Sequence, residues 1–381
     1  MYNGISVLTE FWKKLYLLEY IKEGGSKIKF VTGQERSGKT FFVEELTSIA
    51  KECNYLTVCL TAKETWLNNF NDFYVSIFNN AEVEDLIKRA STLIIKEMGY
   101  NPEDVKEGTT FVDLLATHED NNALTKKAIR ELLTTYFLNN PRFDNNFGVA
   151  ISLLVGEVLG HPQLEKEHKD TLYSWLSAKK EVKITDIKKL EMNPYKITKY
   201  NARQMLRSLS ELCHLAGYNG LFIAVDDIDV LVEKSGLNTM HYTKRKRDDT
   251  YESMRALIDD IDNFSNIFVL YAFDSKLIEM ENEGLKSYQA LWMRIQNEVK
   301  GNRFNKFTDI VDMDSLNNEV YDTASVIALS QCVIDAFDLS QDALLKETEA
   351  EDILVRAKQG GMPLPGLIED VTLEKGGLLN E

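Results

Sequence analysis

The sequence predicts an α/β fold: a parallel sheet interrupted by a large helical insertion and followed by a helical C-terminal lid. Three observations predict it. A glycine-rich octapeptide, Gly33–Thr40, sits between a strand pattern and a helix pattern. Two apolar runs, Leu221–Val225 and Ile267–Ala272, have strand length and no polar face, as central strands covered by helices on both sides do. Between residues 66 and 200 the apolar residues fall at helical spacing instead.

The elements follow in order. Phe11–Ile21 has helical apolar spacing, and Gly24-Gly25 ends it. Ile28, Phe30 and Val31 form a short strand running into Thr32-Gly33. Phe42, Val43, Leu46, Ile49 and Ala50 mark one face of the next helix, and the β-branched and apolar run Tyr55–Leu60 is a second strand. Strand, helix and strand within so short a span read as a βαβ unit. Two amphipathic stripes come next, Leu86 to Met98 and Leu124 to Tyr136, separated by polar loops such as Asn139–Asn146. A further helix runs from Ala202 to Ala216 and is closed by Gly217. Ile310–Met313 is the last strand candidate, with helical segments after it. The expected organisation is an N-terminal helix and first half-core over residues 1–65, a helical insertion over 66–200, a second half-core over 201–313 and an acidic lid over 314–381.

Composition narrows the function. The chain of 381 residues carries 44 basic and 60 acidic side chains, a net charge of −16. A protein that coats duplex DNA is normally basic, so weak or no direct DNA binding is expected. Sixteen acids and four bases fall between Asp309 and Glu381, which concentrates most of the negative excess there. Four cysteines (Cys53, Cys59, Cys213, Cys332) form no paired motif with one another or with the histidines. That argues against a structural zinc site or a disulfide scaffold and fits a reducing cytoplasm. The longest apolar stretch, Phe147–Leu159, is too short to span a bilayer. A cytoplasmic protein without a membrane segment is expected.

The octapeptide Gly33-Gln34-Glu35-Arg36-Ser37-Gly38-Lys39-Thr40 satisfies G-x-x-x-x-G-K-[ST] in the strand-to-helix context that the P-loop requires. Its glycines let backbone N–H groups converge on phosphate, and the helix N-terminus adds partial positive charge. Lys39 is placed to reach the β- and γ-phosphates of ATP, and the Thr40 hydroxyl to ligate Mg²⁺. A second site ends the Leu221–Val225 strand at Asp226-Asp227-Ile228-Asp229. Asp226 is the natural acid for the Mg²⁺ shell, and Asp227 stands where a glutamate commonly polarises the attacking water.

Three weaker features have two readings each. Arg294 is either a finger reaching a neighbouring subunit's phosphates in a homo-oligomer or a solvated helix arginine. Asp274 and Ser275 are either a polar sensor of the γ-phosphate or turn residues. Lys244-Arg245-Lys246-Arg247, read as a polar loop, either grips a nucleic-acid backbone or is balanced by Asp248 and Asp249.

Lys27–Ala50, Tyr173-Ser174-Trp175-Leu176, the helix ending at Gly217 with Tyr218–Leu221 after it, and Tyr251–Ile258 together resemble the ATP-binding proteins of BREX-type bacterial anti-phage defence islands. The resemblance covers roughly residues 20–300 in blocks. It implies an AAA+ or initiator-like P-loop NTPase fold, nucleotide binding at Gly33–Thr40, an acidic strand end at Asp226-Asp227, a finger at Arg294, and protein partners in a defence-type assembly. Two departures stand out: Asp227 replaces the usual glutamate, and the lid segment Gly360–Pro365 carries no arginine. The expected function is an ATPase that powers or gates a multi-protein assembly; the alternative is a nucleotide-gated scaffold or sensor with little hydrolysis.

Overall fold

Five strands align in one all-parallel sheet: β1 (Ser26–Gly33), β2 (Tyr55–Thr61), β3 (Gly220–Asp226), β4 (Ile267–Asp274) and β5 (Ile310–Asp312), in the spatial order β2-β3-β4-β1-β5. The computed structural model describes residues 3–233, 240–296 and 305–378. Register places Gly33 opposite Asp274, Thr61 opposite Asp226, and Thr32 opposite Asp312. The carboxyl ends of all five strands therefore share one edge, where open parallel sheets hold their ligands.

Alternation along the strands divides two cores. Val31, Phe222, Ala224, Phe268, Leu270 and Val311 face one side, where they meet Leu8, Trp12 and Leu17 near the N-terminus and Phe42 and Leu46 of the helix Lys39–Glu52. Phe30, Ile223, Val225, Val269, Tyr271 and Phe273 face the other, in a core continuous with the helices between β2 and β3. Central strands buried on both faces must be apolar throughout, which is why β3 and β4 read as unbroken runs.

The N-terminal helix starts earlier than its sequence pattern suggests. It begins at Asn3 and runs to Trp12, then continues in wider turns to Tyr20, with the Ile21 amide donating five residues back to the Tyr16 carbonyl at 2.8 Å. Lys244–Arg247 is also corrected. These residues form the first turn of the helix Lys244–Asp260, whose N-cap Thr243 accepts from the Lys246 amide, rather than a loop. Four cations at a helix N-terminus oppose the helix dipole, so a charge-based reading misses this start.

The C-terminal helices Thr323–Phe337, Glu347–Gly360 and Leu364–Lys375 pack on a small core of their own around Val326, Leu329, Ile353 and Ile368.

A charged residue breaks the apolar pattern of β1. Lys29 on β1 is wholly buried, its ammonium 5.0 Å from the Tyr16 ring and 5.6 Å from the Trp12 ring. It donates to the carbonyls of Phe307 (2.9 Å) and Thr308 (2.6 Å) and to Asp309 (3.1 Å), which tacks the chain before β5 onto β1. Burial pulls its pKa from 10.5 down to about 8, against the opposing pull of Asp309. Between those values the unfolded chain holds a proton that the folded chain has lost, so stability rises as pH climbs through this window. Urea midpoints should show a gain of about 1–2 kcal/mol between roughly pH 7.5 and 9.5. Lys29→Met should remove that rise. An equal rise in the variant would assign the pH dependence to other groups.

Candidate functional site

The turn after β1 is shaped by its glycines. Arg36 (φ 63°) and Gly38 (φ 89°) adopt left-handed backbone, curling the chain before the helix Lys39–Glu52 begins. At Gly33 a Cβ would lie 2.5 Å from the Ser37 hydroxyl oxygen, so any larger residue would open the turn. The Ser275 amide donates to the Gly33 carbonyl at 2.9 Å, fastening the turn to the end of β4. Ser37 is buried, with its hydroxyl unbonded among the described residues, whereas Gln34 and Glu35 are exposed.

Lys39 folds back over this turn. Its ammonium donates to the carbonyls of Gly33 (2.9 Å) and Gln34 (2.6 Å) and lies 3.7 Å from the Asp274 carboxylate. The neighbouring Thr40 hydroxyl donates to Asp226 Oδ2 at 3.2 Å, joining residues 186 positions apart. The other Asp226 oxygen accepts from the Asp227 amide at 2.7 Å. Burial raises the Asp226 pKa, with adjacent negative charge adding to it.

Asp227 turns away in left-handed backbone (φ 58°). Its carboxylate accepts from Lys63 Nζ at 2.6 Å and from the Thr61 hydroxyl at 2.7 Å. Burial works to raise its pKa, but these two donors outweigh burial and hold it below the usual aspartate value. A pocket of about 480 Å³ opens beside Thr40, Thr61, Asp226 and Asp227. Asp229 has a separate task, accepting from the Asp274 amide at 3.2 Å and so bracing β4 against β3.

Several contacts at this edge were invisible to pattern reading. Asp314, just after β5, accepts from the Gln34 amide at 2.7 Å, and Asn317 donates to the Ser37 carbonyl at 2.9 Å. The last helices then clasp the turn. Gln34 Nε2 donates to the Gly361 carbonyl at 2.6 Å, while the Arg36 guanidinium pairs with Glu369 and Asp370, each at 2.8 Å, and reaches the Gly366 carbonyl at 3.2 Å. The hydrogen bonds that Arg36 donates to Asp370 and Glu369 raise its pKa further. The side chain of Arg36 is thus committed to the C-terminal helices.

Other candidates lie elsewhere. Arg294, on the helix Gln289–Ile295, is bound through Nε and Nη2 to Asp259 and through Nη1 to the Ala290 carbonyl, not to the glycine-rich turn. In the basic quartet, Arg247 is buried and paired with Glu283 at 3.4 Å, and the Lys246 ammonium sits 3.5 Å over the Trp66 ring. Two of its four charges are therefore engaged within the chain.

A parallel α/β sheet with a glycine-rich turn and gathered carboxylates at one edge belongs to the class of proteins that build their ligand site at strand carboxyl ends. The chain itself belongs to the BREX system ATP-binding protein BrxC/D family, whose family model matches residues 10–354. A comparison with curated proteins gives no match. Among the described residues no single helix is long and apolar enough to cross a membrane.

Proposed function

We propose that the chain is a P-loop ATPase core of the AAA+-like class, which binds ATP with Mg²⁺ at Gly33–Thr40 and couples its turnover to a multi-protein anti-phage assembly in the cytoplasm. The observation that carries this reading is the juxtaposition of Lys39, Thr40 and Asp226 at the sheet edge. Lys39 holds two backbone carbonyls that phosphate oxygens would replace as its partners. Backbone amides of Glu35 to Thr40 would cradle the phosphates, with the helix N-terminus behind them.

The residues present fit a magnesium ion. Among the described residues no cluster of three or more His, Cys, Asp or Glu could hold a metal unaided. Mg²⁺ at a nucleotide site needs only one or two protein oxygens, the rest coming from phosphate and water. Thr40 would ligate it, with Asp226 holding its shell. Bound there, the ion would supply positive charge to offset Asp226 and the phosphates. Asp274, beside Lys39, and Ser275 stand where a γ-phosphate sensor would work.

Asp227 is the proposed water-orienting acid, and its bonds to Lys63 and Thr61 favour slow turnover. That observation supports the second reading, a nucleotide-gated scaffold or sensor with little hydrolysis. Arg294 would act as a finger across a homo-oligomer interface only after exchanging Asp259 for a neighbour's phosphate.

Gating is proposed to run through the lid, residues 314–381. The clasp from Gln34 and Arg36 to Gly361, Glu369 and Asp370 ties that segment to the phosphate cradle. A triphosphate brings negative charge against Asp314 and the acidic helix, so the clasp should loosen. Amide hydrogen exchange across Gly361–Asp370 should then quicken several-fold on saturation with ATP and Mg²⁺. Unchanged exchange at saturation would remove the lid from the mechanism.

A further inference from the structure

The helical segment between β2 and β3 carries a basic surface that the nucleotide site does not use. From Lys179 to Lys199 the chain has seven lysines and three acids, although its overall charge is −16. The structure gathers four of them, Lys179, Lys180, Lys196 and Lys199, around a pocket of about 350 Å³. Trp175, Val182 and Ile197 provide apolar walls, and no carboxylate lines it. This volume falls at the lower end of the range for small-ligand sites.

Carboxylates lie next door, since Lys179 also borders a second pocket lined by Glu167, Asp170, Glu181 and Asp186, but none of them enters this one. Lys196 donates to the Lys180 carbonyl at 2.8 Å, which fixes one ammonium at the rim. Lys179, Lys180 and Lys199 are exposed and form no ion pair among the described residues. Like charges around one pocket repel, and a bound polyanion relieves the repulsion. Asn71 lines the same pocket, with its amide oxygen buried and unbonded. Tyr200 follows directly, 84% exposed, with the Lys199 ammonium 5.2 Å from its ring.

We infer that this pocket and its lysine rim bind the backbone of a single-stranded nucleic acid, one nucleotide entering the pocket and a neighbouring base stacking on Tyr200. Apolar walls and an exposed ring suit unpaired bases, which a duplex keeps inside its stack, and lysines along the rim suit the phosphates. An acidic peptide would use the lysines but leave the ring and walls without a planar partner. Distant acidic residues do not forbid binding, since screening limits their reach to roughly 8 Å at physiological salt. This surface replaces Lys244–Arg247 as the nucleic-acid candidate, because half of that quartet is engaged internally.

The test is fluorescence anisotropy of a labelled oligothymidine, about twenty nucleotides long, titrated with the full chain across a salt series. The wild type should bind at roughly 50 mM salt and weaken steeply as salt rises. Lys179→Gln with Lys180→Gln and Lys199→Gln removes three exposed charges. It should lower affinity at least about tenfold and reduce the magnitude of the log–log salt slope by about 2. Tyr200→Ala should cost about tenfold with the slope unchanged, a split that general loss of structure would not produce. Lys39→Ala should bind the oligonucleotide as the wild type does, separating this site from the nucleotide site. No binding by the wild type at low salt, or unchanged binding by the triple variant, would overturn the inference. So would competition by polyglutamate as effective as by unlabelled oligothymidine, or tighter binding of a duplex.

Discussion

Lys39→Ala is expected to weaken ATP binding by two to four orders of magnitude while leaving the fold intact. The ammonium now holds the Gly33 and Gln34 carbonyls, so it is pre-positioned at the mouth of the turn. Transferred to phosphate, it would make two charge-assisted hydrogen bonds of about 1.5–3 kcal/mol each. Loss of about 3–6 kcal/mol corresponds to a factor of roughly 10² to 10⁴ in Kd. The structural cost is smaller, because the exposed Gln34 carbonyl can rebind water and the Gly33 carbonyl still accepts from the Ser275 amide. Calorimetric titration with ATP and Mg²⁺, beside circular dichroism of both proteins, checks this. Equal affinity in a folded variant would show that phosphate is bound elsewhere.

The second large effect is expected at Asp226. Its two oxygens are divided between the Thr40 hydroxyl and the Asp227 amide, so it faces the cradle while orienting the residue after it. Asp226→Asn keeps the shape but removes the charge that would hold the Mg²⁺ shell. Losing a residue that orients metal ligands typically costs about 10- to 100-fold in metal affinity or activity. Turnover should fall by that factor, and the Mg²⁺ concentration for half-maximal rate should rise. Asp227→Asn should instead keep Mg²⁺-dependent binding and slow turnover alone. If Asp226→Asn leaves the Mg²⁺ dependence unaltered, that acid has no part in the metal shell.

Much of the scaffold was legible because it is written in local patterns. The unbroken apolar runs of β3 and β4 and the glycines around Gly33–Thr40 follow from backbone geometry and burial, which act within a few residues. Pairing of Thr40 with Asp226 could be foreseen because Asp226 ends β3 and Thr40 opens the helix that follows the turn after β1, at the same edge of a parallel sheet. Contacts chosen by tertiary packing left no such trace. Lys29 lies between the apolar residues that mark β1, and it is buried because Trp12, Tyr16 and the Phe307–Asp309 segment enclose and bond it. Lys63, Asp314 and the partners of Arg36 reach the site from 164 to 334 residues away. Neither charge nor periodicity specifies such partners. Arg294 was legible as a helix arginine, but its neighbour Asp259 was set by how two helices pack.

Steady-state phosphate release from ATP and Mg²⁺ by the purified chain is the most direct test of a P-loop ATPase at this sheet edge. Release above buffer is expected, slow because Asp227 is held by Lys63, lost in Lys39→Ala and cut about 10- to 100-fold in Asp226→Asn. Release that persists undiminished in both variants, or no release despite tight nucleotide binding, would contradict hydrolysis at Gly33–Thr40.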